Sequence, residues 1–313
     1  MTRATLVAAL VTYAVAAEPR LAHGQAWPAP AGAGSVTVAT QVIDNTGHRL
    51  SDGSVVLNPV TGTPDGKSRN VSALVELDYA ITDRLAISVG LPYVFSRYIG
   101  PGAPPFIERA VDACRCWNSA WQDINASVRY TLTDGPVALT TSVATGLPSH
   151  DYEWQGEAVA GFGLRELRLA VDGGVRLEAL SPRLAVLGRY QYAIVERVLD
   201  VSHNRSNVSG SLSVAISERF SVRGGVDWQR THGGLRFGSI QGNLIVPGEF
   251  TTDALFDQHD RLLRDNNVRV GGGLSYSLPR VDLFMSYMQF VAGTDTHAGH
   301  ALTFGMSVPF QRH

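Results

Sequence analysis

The chain has 313 residues, of which 17% are charged and 44% hydrophobic, with a formal charge of −2. That balance gives no electrostatic footprint for nucleic acid, and the two cysteines, Cys114 and Cys116, are too few for a zinc site or a disulfide framework. Mean hydropathy of +0.01 fits a soluble protein and a membrane barrel equally, so the order of residues along the chain has to decide between them.

The chain opens Met1-Thr2-Arg3, a short basic start, followed by the apolar run 4–17 (ATLVAALVTYAVAA) and a polar stretch that ends at Ala26. A charged start, an apolar run too short to span a bilayer and a small residue before the cut make a secretory signal peptide. Segment 1–26 is therefore expected to be removed, with cleavage after Ala17 as the alternative, leaving 27–313 as the exported body. No other segment reaches the roughly 18 consecutive apolar residues that a membrane helix needs.

From Ser35 onward apolar and polar residues alternate at period two. Val71, Ala73, Val75, Leu77, Tyr79 and Ile81 point one way, while Ser72, Glu76 and Asp78 point the other. The next segment sets Leu85, Ile87, Val89, Leu91, Tyr93 and Phe95 against Ala86, Ser88 and Gly90. Such alternation means strands in a sheet with two unlike faces. About twelve segments follow the pattern: 35–43, 70–82, 84–96, 121–133, 136–147, 164–178, 183–196, 205–217, 219–231, 267–278, 281–291 and 300–310.

Either face could be the wet one, and the connections arbitrate. Short turns built on Thr82-Asp83-Arg84, Thr133-Asp134-Gly135-Pro136, Ser181-Pro182, Ser217-Glu218-Arg219 and Pro279-Arg280 alternate with long connections at 44–69, 97–120, 148–163, 197–204, 232–266 and 292–299. A soluble sandwich has no reason to sort its loops by length. A transmembrane, antiparallel, up-and-down β-barrel of about twelve strands does, with short periplasmic turns, longer outer loops and both termini periplasmic. The fold class is therefore all-β, placed in the cell outer membrane.

Aromatic residues agree with this. Tyr79, Tyr130 and Tyr276 sit just before short turns, and Tyr93, Phe95, Trp228 and Tyr287 lie near the opposite ends of the apolar register, as two interfacial girdles would. Leu302, Phe304, Met306, Val308 and Phe310 alternate to a terminal aromatic, so Phe310 is the expected assembly signal for the barrel assembly machinery, although residues 311–313 trail it. The expected partners are outer-membrane lipid, that machinery and a small-molecule solute, with no nucleic acid, cofactor or metal.

Three stretches, 79–93 (YAITDRLAISVGLPY), 121–133 (WQDINASVRYTLT) and 143–151 (VATGLPSHD), carry a Thr-Asp-Arg turn, a Leu-Pro-Tyr strand end, a Trp-x-Asp strand start and a Gly-Leu-Pro strand end. In these the chain resembles the bacterial outer-membrane family named for the MetA pathway of phenol degradation. The resemblance covers about a third of the chain directly, and implies a barrel that passes small, aromatic or hydrophobic compounds. It brings no catalytic residues with it.

If the apolar register faces lipid, the pleat sends Glu76, Asp78, Asp123, Arg129, Glu166, Arg168, Asp172, Arg176, Arg189, Arg223, Asp227 and Arg269 into the lumen. The acids crowd segments 70–82 and 121–133 and the arginines the later segments, so a mainly acidic wall is expected opposite a mainly basic one. The alternative is local salt bridging, with Asp172 and Arg176 diagonal to Arg189. Lys67 is the only lysine, an arginine bias that fits a lined pore as well as a GC-rich genome. Twelve strands lie between a side-chain-filled barrel and an open porin, so a narrow lumen is expected, with loops 97–120 and 232–266 as candidates for a constriction.

Two other classes compete with a channel: a non-conducting structural or adhesion barrel, and an outer-membrane lipid hydrolase. His203 and Ser206 invite the hydrolase comparison, but three residues apart on a strand they project to opposite faces. His48, His150, His203, His232, His259, His297 and His300 fall in loops or at rims and read as solvated. Cys114 and Cys116 form a Cys-x-Cys pair for which a loop staple is favoured over a metal or redox role. Gly271-Gly272-Gly273 precedes no helix, so it reads as close packing in the wall rather than a phosphate loop.

Overall fold

The structure is a computed structural model describing residues 26–55, 67–99, 116–155, 159–236, 238–241, 244–247, 255, 258 and 261–311. Of the expected signal segment only Ala26 lies among them, and Cys114 and His259 lie outside.

Period-two alternation becomes strand almost throughout. The elements are β1 (Ala33–Arg49), β2 (Lys67–Ala80), β3 (Leu85–Ile99), β4 (Asn118–Trp121), β5 (Ile124–Thr133), β6 (Val137–Leu147), β7 (Glu166–Arg176) and β8 (Leu184–Val195). They continue with β9 (His203–Ala215), β10 (Phe220–Gly233), β11 (Gly238–Gln241), β12 (Leu244–Pro247), β13 (Asn266–Ser277), β14 (Asp282–Thr294) and β15 (Thr296–Gln311). β11 and β12 form a separate hairpin within the long connection after β10, and β4 and β5 are two halves of one stave. Twelve antiparallel staves remain, each paired with its sequence neighbour, and β1 pairs with β15 as well as β2, so the sheet closes.

Closure is what a membrane demands, because lipid satisfies no backbone hydrogen bond at an open edge. The outward register is apolar and uncovered: Val75 is 53% exposed and Val128 50%, and Leu77, Val89, Val143 and Met285 are likewise exposed. Stripes of this kind around a closed wall are a lipid-facing surface. Tyr130 and Tyr276 stand on that register near the short turns, with Phe95, Trp228 and Tyr287 towards the other rim.

The seam between β1 and β15 is close-packed at Gly34, Gly299 and Gly305, where a Cβ would meet neighbouring backbone. Gly34 pairs with Phe310, and a Cβ at Gly34 would come within 2.5 Å of both the Asp78 carbonyl oxygen and the Phe310 ring. With no side chain there, the Phe310 ring lies beside Tyr79, stacked at 6.4 Å between centroids. The five short connections form where the turn residues put them. In the first, the Thr82 hydroxyl accepts the Leu85 amide at 2.9 Å. In the fourth, the Ser217 hydroxyl accepts the Phe220 amide at 3.1 Å. The same side-chain-to-backbone bond thus tightens two hairpins.

Several boundaries differ from expectation. The connection expected over 292–299 is a single residue, Asp295, at φ 51, between β14 and β15. Its small and polar residues look like a loop, but β1 pairs with Thr296, His297 and Ala298 and holds them in the sheet. β1, β3 and β15 have 17, 15 and 16 residues, more than the roughly 9–11 that cross a bilayer, so they project past it at the long-loop rim. The expected strand 121–133 is broken at Gln122 and Asp123. There it faces Pro92, which has no N–H to donate, and the Gln122 amide bonds the Pro92 carbonyl at 2.9 Å instead.

Candidate functional site

The lumen is the one place where the fold gathers polar side chains, and strand parity decides which. Glu76 and Asp78 on β2, Arg129 on β5, and Glu166, Arg168, Asp172 and Arg176 on β7 occupy the register opposite the exposed apolar one. So do Arg189 on β8, Arg223 and Asp227 on β10, and Arg269 on β13. Asp123 sits in the break between β4 and β5, where the Tyr152 hydroxyl donates to it at 2.5 Å.

These charges do not form two opposing walls. They pair locally: Asp78 with Arg129, Glu166 with Arg205, and Asp172 with Arg189 at 3.1 Å. Arg168 bonds the Asn125 side chain and the Thr145 carbonyl. Asp172 lies directly across the hairpin from Arg189 rather than diagonal to it, and Arg176 turns away to stack on Trp27 at 4.9 Å. Arg205 completes the Glu166 pair two strands away, at the very start of its predicted segment, where inward parity was the only sign of it. Among the described residues Glu76, Arg223, Asp227 and Arg269 make no ion pair or hydrogen bond, and Arg223, Asp227 and Arg269 are exposed to the lumen.

Near the short-turn rim the lumen is filled by the chain's own N-terminal segment. Trp27 is only 7% exposed, packed with Ala26 against Ala138, Ala185 and Leu187. Its indole Nε1 donates to the Gly135 carbonyl at 2.9 Å; the Thr140 hydroxyl donates to the Ala26 carbonyl at 3.0 Å, a bond that a chain cut after Ala17 keeps and a chain cut after Ala26 loses. Gly174 makes the room: a Cβ there would meet the indole Cη2 at 2.6 Å. The inward run of small residues Ala138, Gly174 and Ala185 is the trace this plug leaves in the sequence.

Near the long-loop rim, loops close over the barrel. Leu164, Ala193, Val195, Leu235 and Leu262 form a buried cluster, with Val198, Val201 and Leu255 against it. His203, expected to be solvated, is 3% exposed, and its Nε2 lies 2.5 Å from the Leu263 carbonyl. Arg261 lies over the Trp154 ring at 4.4 Å and donates to the Gly163 carbonyl at 3.0 Å, tying the 148–165 connection to the one after β10. Burial and the Asp123 carboxylate beneath push the Tyr152 phenol above its ordinary value. Of the two loops expected to constrict the barrel, the 232–266 connection supplies this cover, while 100–115 lie outside the described residues.

Between plug and cover lies a chamber of about 350 Å³, lined in part by Gln41, Asp172, Arg189, Arg223, Asp227 and Met288. Its wall is less polar than alternation implied. β14 carries apolar residues on both faces: Leu283, Met285 and Tyr287 face outward, while Phe284, Met288 and Phe290 join Ser286 on the inward register. Arg49 covers the Phe290 ring at 5.7 Å.

Ser206 has an imidazole partner after all, though not His203. Its hydroxyl lies 2.8 Å from His232 Nε2 and 3.3 Å from the Tyr190 hydroxyl, on the outward register near the long-loop rim. Ser206 is itself buried, and among the described residues no carboxylate bonds His232, so nothing orients the ring as a base for an exposed nucleophile.

No family model and no curated protein sequence matches the chain. Among solved structures, the COG4313 outer membrane channel from Pseudomonas putida F1 superposes with a TM-score of 0.64 at 16% identity, over 93% of this chain and 100% of that one. The beta domain of the Bordetella autotransporter Brka aligns with a TM-score of 0.49 at 11% identity, covering 89% of this chain and 100% of that one. The NanC porin aligns at 0.48 and 11%, covering 87% and 98%. At such identities the likeness to the Pseudomonas putida protein is one of fold: this chain is a closed, twelve-stranded barrel of the outer-membrane type.

Proposed function

We propose that the protein is an outer-membrane channel for small solutes with aromatic or hydrophobic bodies, its short turns and both termini on the periplasmic side. The observation that carries this reading is the chamber inside the closed wall, bounded towards the short turns by the N-terminal segment, whose Ala26 lines it, rather than by the wall itself. A segment held by a few hydrogen bonds and one stacked ring is displaceable at modest cost, whereas a barrel wall is not. Met288 and Leu187 offer a solute apolar surface in the chamber, and Phe284 adds to the apolar inward register of β14. The fold shared with the Pseudomonas putida outer membrane channel and the resemblance to the phenol-degradation family support the same reading.

Planar-bilayer recording of the purified barrel tests it. Small unitary current steps are expected, with catechol-sized aromatic solutes blocking them more than sugars of similar size. A correctly folded protein that carries no current contradicts the channel and leaves a structural barrel.

A further inference from the structure

The lumen's charges divide into those already satisfied and those that are not, and the chamber holds two of the latter, Arg223 and Asp227. Arg129, Arg189 and Arg205 are committed to carboxylates, Arg168 to an amide and a carbonyl, and Arg176 to Trp27. Arg223 lines the chamber, is exposed within it, and among the described residues bonds nothing. Asp227, on the same strand, stands directly across from Arg269 on β13 and lies within electrostatic reach of both Arg269 and Arg223.

The wall beside Arg223 has been stripped of side chains. Gly225, Gly271 and Gly273 share its inward register on β10 and β13. A Cβ at Gly225 would meet the Gly210 carbonyl at 2.9 Å, and one at Gly271 the Met288 sulfur at 2.6 Å. Around the resulting space stand the hydroxyls of Ser209, Ser211, Ser286 and Thr303, all able to donate, together with the apolar Leu187 and Met288. A guanidinium with no hydrogen bond of its own, ringed by hydroxyls with apolar surface alongside, is complementary to an anionic head on an apolar body. The volume, many times the roughly 30 Å³ share of one water, suits an organic ligand better than a bare inorganic ion.

We propose that this chamber binds a small organic carboxylate, its head on Arg223 and its body against Met288 and Leu187. The inference deepens the reading of the lumen as a solute path, and rests on it for its biological sense. It is tested on the full barrel in nonionic detergent, by calorimetric titration with phenylbutyrate and with the matched neutral and cationic probes phenylbutanol and phenylbutylamine. Phenylbutyrate is expected to bind at least about tenfold tighter than either, since a charge-assisted bond is at stake.

Arg223→Gln is expected to remove that preference and Arg223→Lys to keep part of it. Arg219→Gln, in an exposed turn, should leave it unchanged, with all variants retaining the heat-dependent gel shift of a folded barrel. Equal affinity for the three probes, or an unchanged preference in Arg223→Gln, overturns the site. Bilayer current measured on the same preparations separates the two ideas. Current without carboxylate preference leaves the channel and sinks this site. Carboxylate binding through Arg223 without current keeps the site and sinks the channel.

Discussion

At Gly34 the barrel closes with no space for a side chain, and the aromatic residue filling that space, Phe310, belongs to the last strand. Gly34→Ala would press its methyl group against a ring and a backbone carbonyl, and only the ring can move. The variant is expected to refold into detergent with a clearly lower yield of the heat-modifiable form. Adding Phe310→Ala should rescue it only in part, since the Asp78 carbonyl stays where it is; yields equal to wild type would show that the seam is looser than this geometry. As the terminal aromatic, Phe310 is also expected to matter to insertion in cells, so Phe310→Ala should lower assembly more than removal of residues 311–313. Deeper in the lumen, Arg189→Ala would leave the Asp172 carboxylate, whose side chain is 7% exposed, without its partner. A loss of roughly 2 kcal/mol, read as an earlier urea transition in lipid vesicles, is expected from breaking such a pair. An unchanged transition would mean that lumenal water replaces the arginine.

Strand parity is a local property, and this is why the facing of the lumenal charges could be read from sequence while their partners could not. Glu166 finds Arg205 two strands away, and Arg176 finds Trp27 in a segment that precedes the first strand. The same division holds for whole elements. Five hairpin turns were legible because Thr, Ser, Asp, Gly and Pro set backbone geometry within a few residues. The turn at Asp295 was not, because β1 turns the loop-like residues after it into strand. The break between β4 and β5 likewise depends on Pro92, which stands on the neighbouring strand.

The cover at the long-loop rim was legible only as loop length, since its cohesion comes from leucines in two connections and valines in a third. Leu262 is fully buried there, so Leu262→Ala should cost the cover about 2–5 kcal/mol of docking energy without touching the wall. Limited proteolysis of the folded barrel is the measurement. New cleavage within the 234–265 connection is expected while the barrel stays heat-modifiable, and an unchanged digest would show that the cluster does not hold the cover down.

Taken whole, the molecule is a rigid wall around an adjustable interior. The wall's sheet has no free edge through which it could open piecemeal, whereas the N-terminal segment is held by four hydrogen bonds to the barrel, two at Ala26 and Trp27 and two at Ala31 and Gly32, by one stacked guanidinium and by a patch of small side chains. On the proposed channel reading, that asymmetry puts control of passage in the interior, where Trp27 is packed against the wall near the short-turn rim. Single-channel current through Trp27→Ala, compared with wild type in the same bilayer and salt, tests this most directly. Removing the indole should leave the folded barrel intact and raise the unitary conductance severalfold. An identical conductance in the two proteins would contradict the account, because the lumen would then conduct, or fail to conduct, irrespective of the residue that fills it.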